Sequence, residues 1–214
     1  KIFSLRALIA VIAPVSAQES GIDQHQLGAK YSPLKQITRD NVADLGLAWE
    51  YHTGEVPPAD TKGSLIAFED QPSLIEGNLV VCTPSRRLIA LDPQTGEERW
   101  VYDPKARKTG MQKCRGIASW VDQQAPDTAS CKTRIFLGTA DNRLAAIDAK
   151  NGKPCDGFGE QGAVQIASSK PEIFPGELLI TSRPAVVNDV VVVGSAVADN
   201  QRVDAPSGRV LAFD

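Results

Sequence analysis

The sequence predicts an all-β protein, and three features of its 214 residues lead to that prediction. Runs of aliphatic and β-branched residues, such as LVVC, RIFLG and VVVV, recur along the chain and are broken by Gly, Pro, Asn and Asp, which is the pattern of strands and turns. An acidic turn that ends in Gly follows two of the runs, at residues 92–96 and 148–152. Helical periodicity is confined to one short stretch near residue 40, so strands dominate the prediction.

The acidic turns belong to an internal repeat. RLIALDPQTGEERW at residues 87–100 is repeated by RLAAIDAKNGKPC at 143–155, and RVLAFD begins a third copy at residue 209. Repeats of this length, each with short strands and a Gly turn, are typical of four-stranded propeller blades. The sequence therefore predicts a β-propeller architecture with about three blades.

Two residue types in the repeat have structural interpretations. The tryptophans, of which Trp100 ends the first copy, are expected to lie in the core, flat between adjacent blades. The aspartates that open the turns are expected to close them by local hydrogen bonds and not to catalyse; they are Asp92, Asp148 and Asp214.

Residues 1–17 predict a signal peptide that lacks its initiator Met. Two basic residues precede an apolar stretch from Ala7 to Val15, and the small residues up to Ala17 fit a cleavage site. A bilayer span needs about 20 apolar residues, so a lasting anchor is the weaker alternative, and membrane association stays open. The prediction places the protein in the periplasm.

Residues 18–60 are predicted to form an N-terminal segment. Thr38 or Asp40 can cap a short helix over about residues 39–46. Val42 and Leu45 would share one face of that helix. The segment is expected to end in a first strand that begins at Trp49 and Tyr51.

Residues 61–214 are assigned to propeller blades that are cut short at the C-terminus. Hairpin turns are expected at residues 84–86 and 140–142. Cys131 and Cys155 bracket the second of these hairpins and are predicted to form a disulfide, because export leads to an oxidising compartment. Cys82, which lies within a strand, is interpreted as a small buried hydrophobe.

Composition argues against one class of partner. The net charge is -3, and the lysines and arginines are scattered along the chain, so no basic surface for nucleic acid is expected.

Several stretches make the chain resemble the N-terminal part of the quinoprotein dehydrogenases that use pyrroloquinoline quinone (PQQ), most closely the glucose and quinate dehydrogenase branch. They are YSPLKQI, DNVADLGLAWEYHTGEV, LVVCTPSRRLIALDPQTGEERWVYDPK, KCRGIASW, RIFLGTADNRLAAIDAKNGKPCDGFGEQG and ITSRPAVVNDVVVVGSAVADN. The resemblance implies an eight-bladed propeller with PQQ and a calcium ion on its axis. This chain would hold about three of the blades, and the family's general base is expected beyond residue 214, so the chain alone is expected to be inactive.

The resemblance also implies roles for individual residues. Arg115, in KCRG, matches an arginine that pairs with a PQQ carboxylate, for which a planar guanidinium is suited. Thr181 matches a threonine whose hydroxyl bonds the cofactor, and Glu69 matches a glutamate close to it, although Asp70 is an alternative match. Asp199 and Asn200 are expected to bind calcium, which takes oxygen ligands. For Arg115 the alternative is a surface salt bridge, and for Thr181 it is an ordinary strand residue. For Glu69 the alternative is a solvated carboxylate, and for Asp199 and Asn200 it is an ordinary turn.

Two departures from the family pattern bear on the substrate. The alcohol-oxidising branch has two adjacent cysteines near the position of Cys114. This chain has no Cys-Cys pair, which favours a sugar or cyclic polyol as the substrate. The glucose branch often has a His before CRG, where this chain has Met111, which argues against glucose itself. The resemblance implies that electrons pass to a respiratory quinone or another acceptor. The alternative function is a non-catalytic propeller scaffold of outer-membrane assembly.

Overall fold

The computed structural model describes residues 34–55, 66–106, 112–174, 176–198 and 201–214. The described residues from Arg39 to Asp214 belong to one compact unit. The predicted signal peptide, residues 1–17, lies outside the described residues. Within the described ranges, no helix is long and apolar enough to cross a membrane.

The described residues form one short 3-10 helix, Val42–Asp44, and otherwise strands. The strands are β1 (Ile66–Phe68), β2 (Ser73–Ile75), β3 (Asn78–Cys82), β4 (Leu88–Leu91), β5 (Glu98–Tyr102), β6 (Gln112–Cys114), β7 (Ala118–Val121), β8 (Thr133–Gly138), β9 (Arg143–Asp148), β10 (Ala163–Gln165), β11 (Leu178–Leu179), β12 (Ala185–Val187), β13 (Val190–Gly194), β14 (Ala196–Val197) and β15 (Val210–Phe213).

Three of the sheets are blades. The first blade has the order β2-β3-β4-β5 and the second the order β10-β9-β8-β7, and all neighbours in them are antiparallel. The third blade contains β12, β13 and β15. Two small pairs, β1 with β6 and β11 with β14, complete the pairing of the described strands. The all-β prediction and the blade prediction are confirmed.

The N-terminal segment differs from its prediction. Only Val42–Asp44 is helical, Asn41 precedes it without a capping side-chain hydrogen bond, and residues 45–55 form no strand. Val42 and Leu45 are 50% and 61% exposed, so the predicted apolar face is largely exposed rather than buried against the described residues. Since short helices depend on such packing, the pattern produces a single turn.

The two predicted hairpin turns are built alike. In the β3–β4 turn, the Thr83 N–H group donates a hydrogen bond of 2.9 Å to the Arg87 carbonyl, and Arg86 has a φ of 65°. In the β8–β9 turn, Thr139 and Arg143 are bonded at 2.8 Å, and Asn142 has a φ of 60°. The threonine hydroxyl accepts a further bond from the backbone N–H of the arginine in both turns, so the repeat extends to hydrogen-bond detail.

The acidic turns dock tryptophans. Asp92 Oδ1 accepts the backbone N–H groups of Gln94 and Thr95 at 2.8 and 3.0 Å, as predicted for a turn-closing residue. A Cβ added at Gly96 would lie 2.6 Å from the Trp49 ring, and one added at Gly152 would lie 2.5 Å from the Trp100 ring. Each indole therefore lies directly on the glycine of a following acidic turn, which explains why the repeat pairs Trp with Gly.

The second blade has a hydrophobic cluster on each side. Ile135 and Leu137 of β8 belong to the cluster shared with the first blade. Phe136, between them, belongs to the cluster shared with the third blade, together with Val191. Since successive strand residues point to opposite faces, a blade covered on both faces needs an unbroken apolar run.

Candidate functional site

The predicted cofactor residues lie at one end of the blades. Because neighbouring strands run antiparallel, the β3–β4 turn lies at the same end as the segment that leads into β2, and the second and third blades follow the same rule. We call this the site end; it comprises the lead-in segments 69–72, 115–117 and 181–184 and the turns 83–87 and 139–143. The acidic turns 92–96 and 148–152 lie at the opposite, docking end.

Glu69 and Arg115 are neighbours because of a parallel strand pair. In β1 and β6, Phe68 is the partner of Cys114, so the residues that directly follow the two strands, Glu69 and Arg115, lie side by side. Arg115 Nε donates a hydrogen bond of 2.8 Å to Glu69 Oε2, and the side chains are 44% and 36% exposed. The register thus brings together two of the predicted residues.

Asp70 is buried beside this pair. Its Oδ2 accepts the backbone N–H of Cys82 at 2.6 Å, whereas its Oδ1 has no hydrogen-bond partner among the described residues. Burial raises the pKa of Asp70 to about 6, against the opposing effects of the Cys82 and Gln71 N–H groups and of Arg183. The carboxyl group can therefore hold or release a proton near neutral pH.

A disulfide joins Cys82 to Cys114, with the Cα atoms 6.0 Å apart. The interpretation of Cys82 as a plain hydrophobe is wrong: its side chain is 1% exposed, but it is buried as half of a cystine. The bridge links the end of β3 to the strand that carries Arg115. Cys131 and Cys155, the predicted pair, are joined by a second disulfide with Cα atoms 5.8 Å apart.

Thr181 lies in the lead-in segment of the third blade and is half-buried. The residue before it, Ile180, is 2% exposed and approaches the backbone so closely that a Cβ at Gly138 would lie 2.4 Å from its Cγ2. Two residues after Thr181, the Arg183 side chain lies over Gly116, where a Cβ would meet its Cδ at 3.2 Å. The segment of Thr181 is thereby packed on that of Arg115.

Arg86 connects β6 to the end of β8. The side chain is 3% exposed and donates to the Gly138 and Lys113 carbonyls at 3.2 and 3.4 Å. Burial lowers its pKa to about 10, which leaves it charged at neutral pH. Sequence reasoning missed Arg86, Asp70 and Arg183. Arg86 stands at a predicted turn, Asp70 was considered only as an alternative to Glu69, and Arg183 stands two residues after Thr181 in TSR.

The predicted calcium ligands, Asp199 and Asn200, lie outside the described residues, as does Met111. In the part of the chain that the structure describes, no group of three or more His, Cys, Asp or Glu side chains could hold a metal ion.

A cavity of about 200 Å³ lies away from these residues, between the second and third blades. Its wall includes Trp120, whose Nε1 donates to Asp189 Oδ1 at 3.0 Å and whose ring carries the Arg134 guanidinium 4.9 Å from its centroid. Glu69, Arg115 and Thr181 do not line this cavity. Its contacts are accounted for by blade packing.

Stacked antiparallel blades, with indoles packed on the glycines of neighbouring turns, define the chain as a β-propeller protein. The sequence pattern of the family described as PQQ: glucose/ethanol/alcohol dehydrogenase, beta-propeller domain, matches residues 20–214. The chain belongs to this family.

Two relatives and one solved structure illustrate the match. The quinoprotein glucose dehydrogenase of Escherichia coli is 36% identical over 95% of this chain and 26% of its own length. The glycerol dehydrogenase large subunit of Gluconobacter oxydans is 37% identical over 91% of this chain and 26% of its own length. The crystal structure of quinohemoprotein alcohol dehydrogenase from Comamonas testosteroni has a TM-score of 0.63 at 28% identity, covering 86% of this chain and 23% of that one. The chain thus spans about a quarter of the length of these relatives.

Proposed function

We propose that this chain forms part of a PQQ-dependent dehydrogenase that oxidises a sugar or polyol, and that its site end holds the cofactor. Family membership supports the reaction class, and relatives named for glucose and glycerol support the substrate class. The observation that carries the proposal is the Arg115–Glu69 pair, exposed at the site end and fixed by strand register.

The described residues fit a flat tricarboxylate. Glu69 engages Arg115 through Nε, and no hydrogen bond from the terminal nitrogens of Arg115 occurs among the described residues. A guanidinium oriented in this way can present those nitrogens to a carboxylate as a bidentate fork. The Thr181 hydroxyl, in the segment packed on that of Arg115, would add a hydrogen bond.

The chemistry requires two electrons to leave the substrate. PQQ, when bound, would supply the two-electron oxidant that accepts a hydride from the alcohol carbon, while the hydroxyl proton would pass to a base, so that the alcohol becomes a carbonyl compound. Arg115 and Thr181 bind and orient the cofactor, and Glu69 holds the Arg115 fork in place. Asp70, with a pKa of about 6, limits the negative charge near a bound tricarboxylate when it is protonated.

The cellular setting is part of the proposal. Two disulfides among the described residues are typical of an oxidising compartment, in agreement with the signal-peptide pattern. We therefore propose a periplasmic location, with electrons passed to a respiratory quinone or another acceptor.

Calcium binding by Asp199 and Asn200 remains an expectation of the family resemblance. It is tested by titrating calcium into the apo-form of Asp199→Ala: an unchanged midpoint would make Asp199 a turn residue only.

The test of cofactor binding uses a matched pair of arginines in the complete gene product. Arg115→Ala removes the proposed carboxylate ligand, and Arg99→Ala removes an arginine that is 43% exposed and pairs with Asp92 at the docking end. PQQ is titrated while tryptophan fluorescence is followed. We expect Arg115→Ala to raise the Kd about 10- to 100-fold, because a charged hydrogen bond is worth about 1.5–3 kcal/mol, and Arg99→Ala to leave it unchanged.

A wild-type protein that binds no PQQ would overturn the proposal and favour the non-catalytic scaffold. If Arg115→Ala and Arg99→Ala lost PQQ affinity equally, the site end would be excluded as the cofactor site. If PQQ binds as expected, dye reduction with glycerol, quinate and glucose distinguishes the substrates.

A further inference from the structure

The Arg115–Glu69 pair is part of a closed ring of bonds. Cys114 precedes Arg115 and is joined covalently to Cys82. Asp70 follows Glu69 and accepts the backbone N–H of Cys82. The ring therefore consists of the Cys82–Cys114 disulfide, the Arg115–Glu69 ion pair and the Asp70–Cys82 hydrogen bond, connected by single peptide steps.

We infer that the Cys82–Cys114 disulfide and Asp70 are positioning elements that hold Arg115 in place for the cofactor. The inference deepens the proposed function and rests on it, since it names what makes the proposed ligand rigid. Neither the disulfide nor Asp70 needs to touch the cofactor to act in this way.

The ion pair alone is too weak to position Arg115. Both partners are more than a third exposed, and an exposed ion pair contributes little because water screens it and its side chains lose freedom. Strand β6 has only three residues and pairs with an equally short β1. A site needs its binding groups held closely in the productive geometry by surrounding bonds, and here the bonds present are those of the ring.

The ring is anchored in the buried core between the first and second blades. Cys82 and Cys114 are 1% and 5% exposed and belong to the hydrophobic cluster between these blades. Arg86 adds a hydrogen bond to the Lys113 carbonyl, directly before Cys114. A change at Cys82 should therefore be transmitted to Arg115 through covalent bonds and not through loose surface contacts.

The second disulfide supplies a control inside the same chain. Cys131–Cys155 closes a sequence separation of 24 and Cys82–Cys114 one of 32. Loop-closure entropy depends only weakly on such a difference, so the two bridges should stabilise the fold to a similar extent. Only Cys82–Cys114 is adjacent to Arg115.

The experiment compares Cys82→Ser/Cys114→Ser with Cys131→Ser/Cys155→Ser in the complete gene product. Thermal unfolding and the PQQ Kd from tryptophan fluorescence are measured for each. We expect similar reductions in Tm, together with a Kd about 10-fold higher for the first variant only, since small misplacements of a binding group are costly. Equal PQQ affinities in the two variants would overturn the inference. A wild-type protein that binds no PQQ would overturn the proposed function instead.

A second pair of variants tests the positioning role if Cys82→Ser/Cys114→Ser does not fold. Asp70→Ala removes the acceptor of the Cys82 N–H group, whereas Asp70→Asn retains a carbonyl oxygen there. We expect the Kd for PQQ to rise several-fold in Asp70→Ala, by about 3- to 10-fold on the same reasoning, and to return close to the wild-type value in Asp70→Asn. A wild-type Kd in Asp70→Ala would contradict a positioning role.

Discussion

The two ends of the blades solve different problems with the same strands. At the docking end, the acidic turns at 92–96 and 148–152 each receive an indole on a glycine, so one arrangement occurs twice. At the site end, the lead-in segments of the three blades carry Glu69, Arg115 and Thr181, one acid, one base and one hydroxyl at equivalent places. The acidic turns repeat because they serve the packing of one blade on the next. The lead-in segments differ from blade to blade, and these differences allow them to recognise a ligand.

The largest expected effect concerns the docking end. Gly152→Ala places a Cβ 2.5 Å from the Trp100 ring at a φ of 71°, so both the indole and the backbone must shift. We expect a loss of about 2–4 kcal/mol in the free energy of unfolding, measured by urea denaturation.

Two other glycines separate the causes of that loss. Gly77→Ala has a similar φ of 69° but meets nothing within 4 Å, so it should cost only about 1 kcal/mol of backbone strain. Gly157→Ala, with open space and no positive φ, should be nearly neutral. A loss at Gly152 no greater than that at Gly77 would mean that the tryptophan contact is not what stabilises the docking end.

A smaller effect is expected at the site end from Asn142→Ala. Asn142 Nδ2 donates to the Leu178 carbonyl at 2.8 Å and to Glu172 Oε1 at 3.1 Å, and these bonds connect the second blade to β11 and to the segment before it. Their removal should cost about 1–3 kcal/mol, because the carbonyl of the buried Leu178 loses its donor. Chemical denaturation checks the value.

Asn142→Gly is the control for backbone strain, because glycine adopts the φ of 60° freely. It should be more stable than Asn142→Ala and less stable than the wild type. A Gly variant as stable as the wild type would show that the side-chain bonds contribute nothing.

The smallest and most specific prediction is that two carboxylates, one at each end, change stability with pH in opposite directions. Burial raises the pKa of Asp70 from 3.8 to about 6. The hydrogen bond from Arg99, with those from Gln94 and Thr95, lowers the pKa of Asp92 from 3.8 to about 2. Urea midpoints of Asp70→Asn and Asp92→Asn, relative to the wild type, are to be measured between pH 2 and pH 8.

The signs follow from proton binding. Between its two pKa values Asp70 binds more protons in the folded state, so its contribution is most favourable below about pH 4 and is lost as the pH rises through 6. Asp70→Asn should therefore gain stability relative to the wild type over that interval. Asp92 stabilises the fold above about pH 4 and ceases to do so as the pH falls towards 2, so the penalty of Asp92→Asn should disappear in acid. If the urea midpoints of the two variants, relative to the wild type, changed with pH in the same direction, the predicted contrast between Asp70 and Asp92 would be contradicted.

The sequence predicted the parts of the molecule that repeat. The blades, both hairpin turns and the packing of Trp100 on another blade follow from local patterns, since strand alternation and turn chemistry are set by neighbouring residues. The predicted helix at 39–46 is reduced to the single turn Val42–Asp44, because its apolar residues Val42 and Leu45 stay largely exposed. Cys82–Cys114 was missed because its partners lie on either side of a blade boundary, where no hairpin brings them together.

The site was only partly predictable for a related reason. Family resemblance identified Glu69 and Arg115, but their pairing depends on the register of two three-residue strands far apart in sequence. The burial of Asp70 depends on Cys82 and Arg183, which no local pattern relates to it. Asp199 and Asn200 remain predictions.

The alternation along β8 has a further consequence for how the chain tolerates insertions. Ile135 and Leu137 serve one interface, and Phe136 serves the other, so the strand can be shifted by two residues but not by one without exchanging its faces. A single added residue near the start of β8 would send Phe136 towards the first blade, where the smaller Ile135 and Leu137 now fit, and every later side chain would be inverted as well. Loops at the blade ends can thus vary in length, whereas the central strand of the second blade fixes the register of the two interfaces beside it.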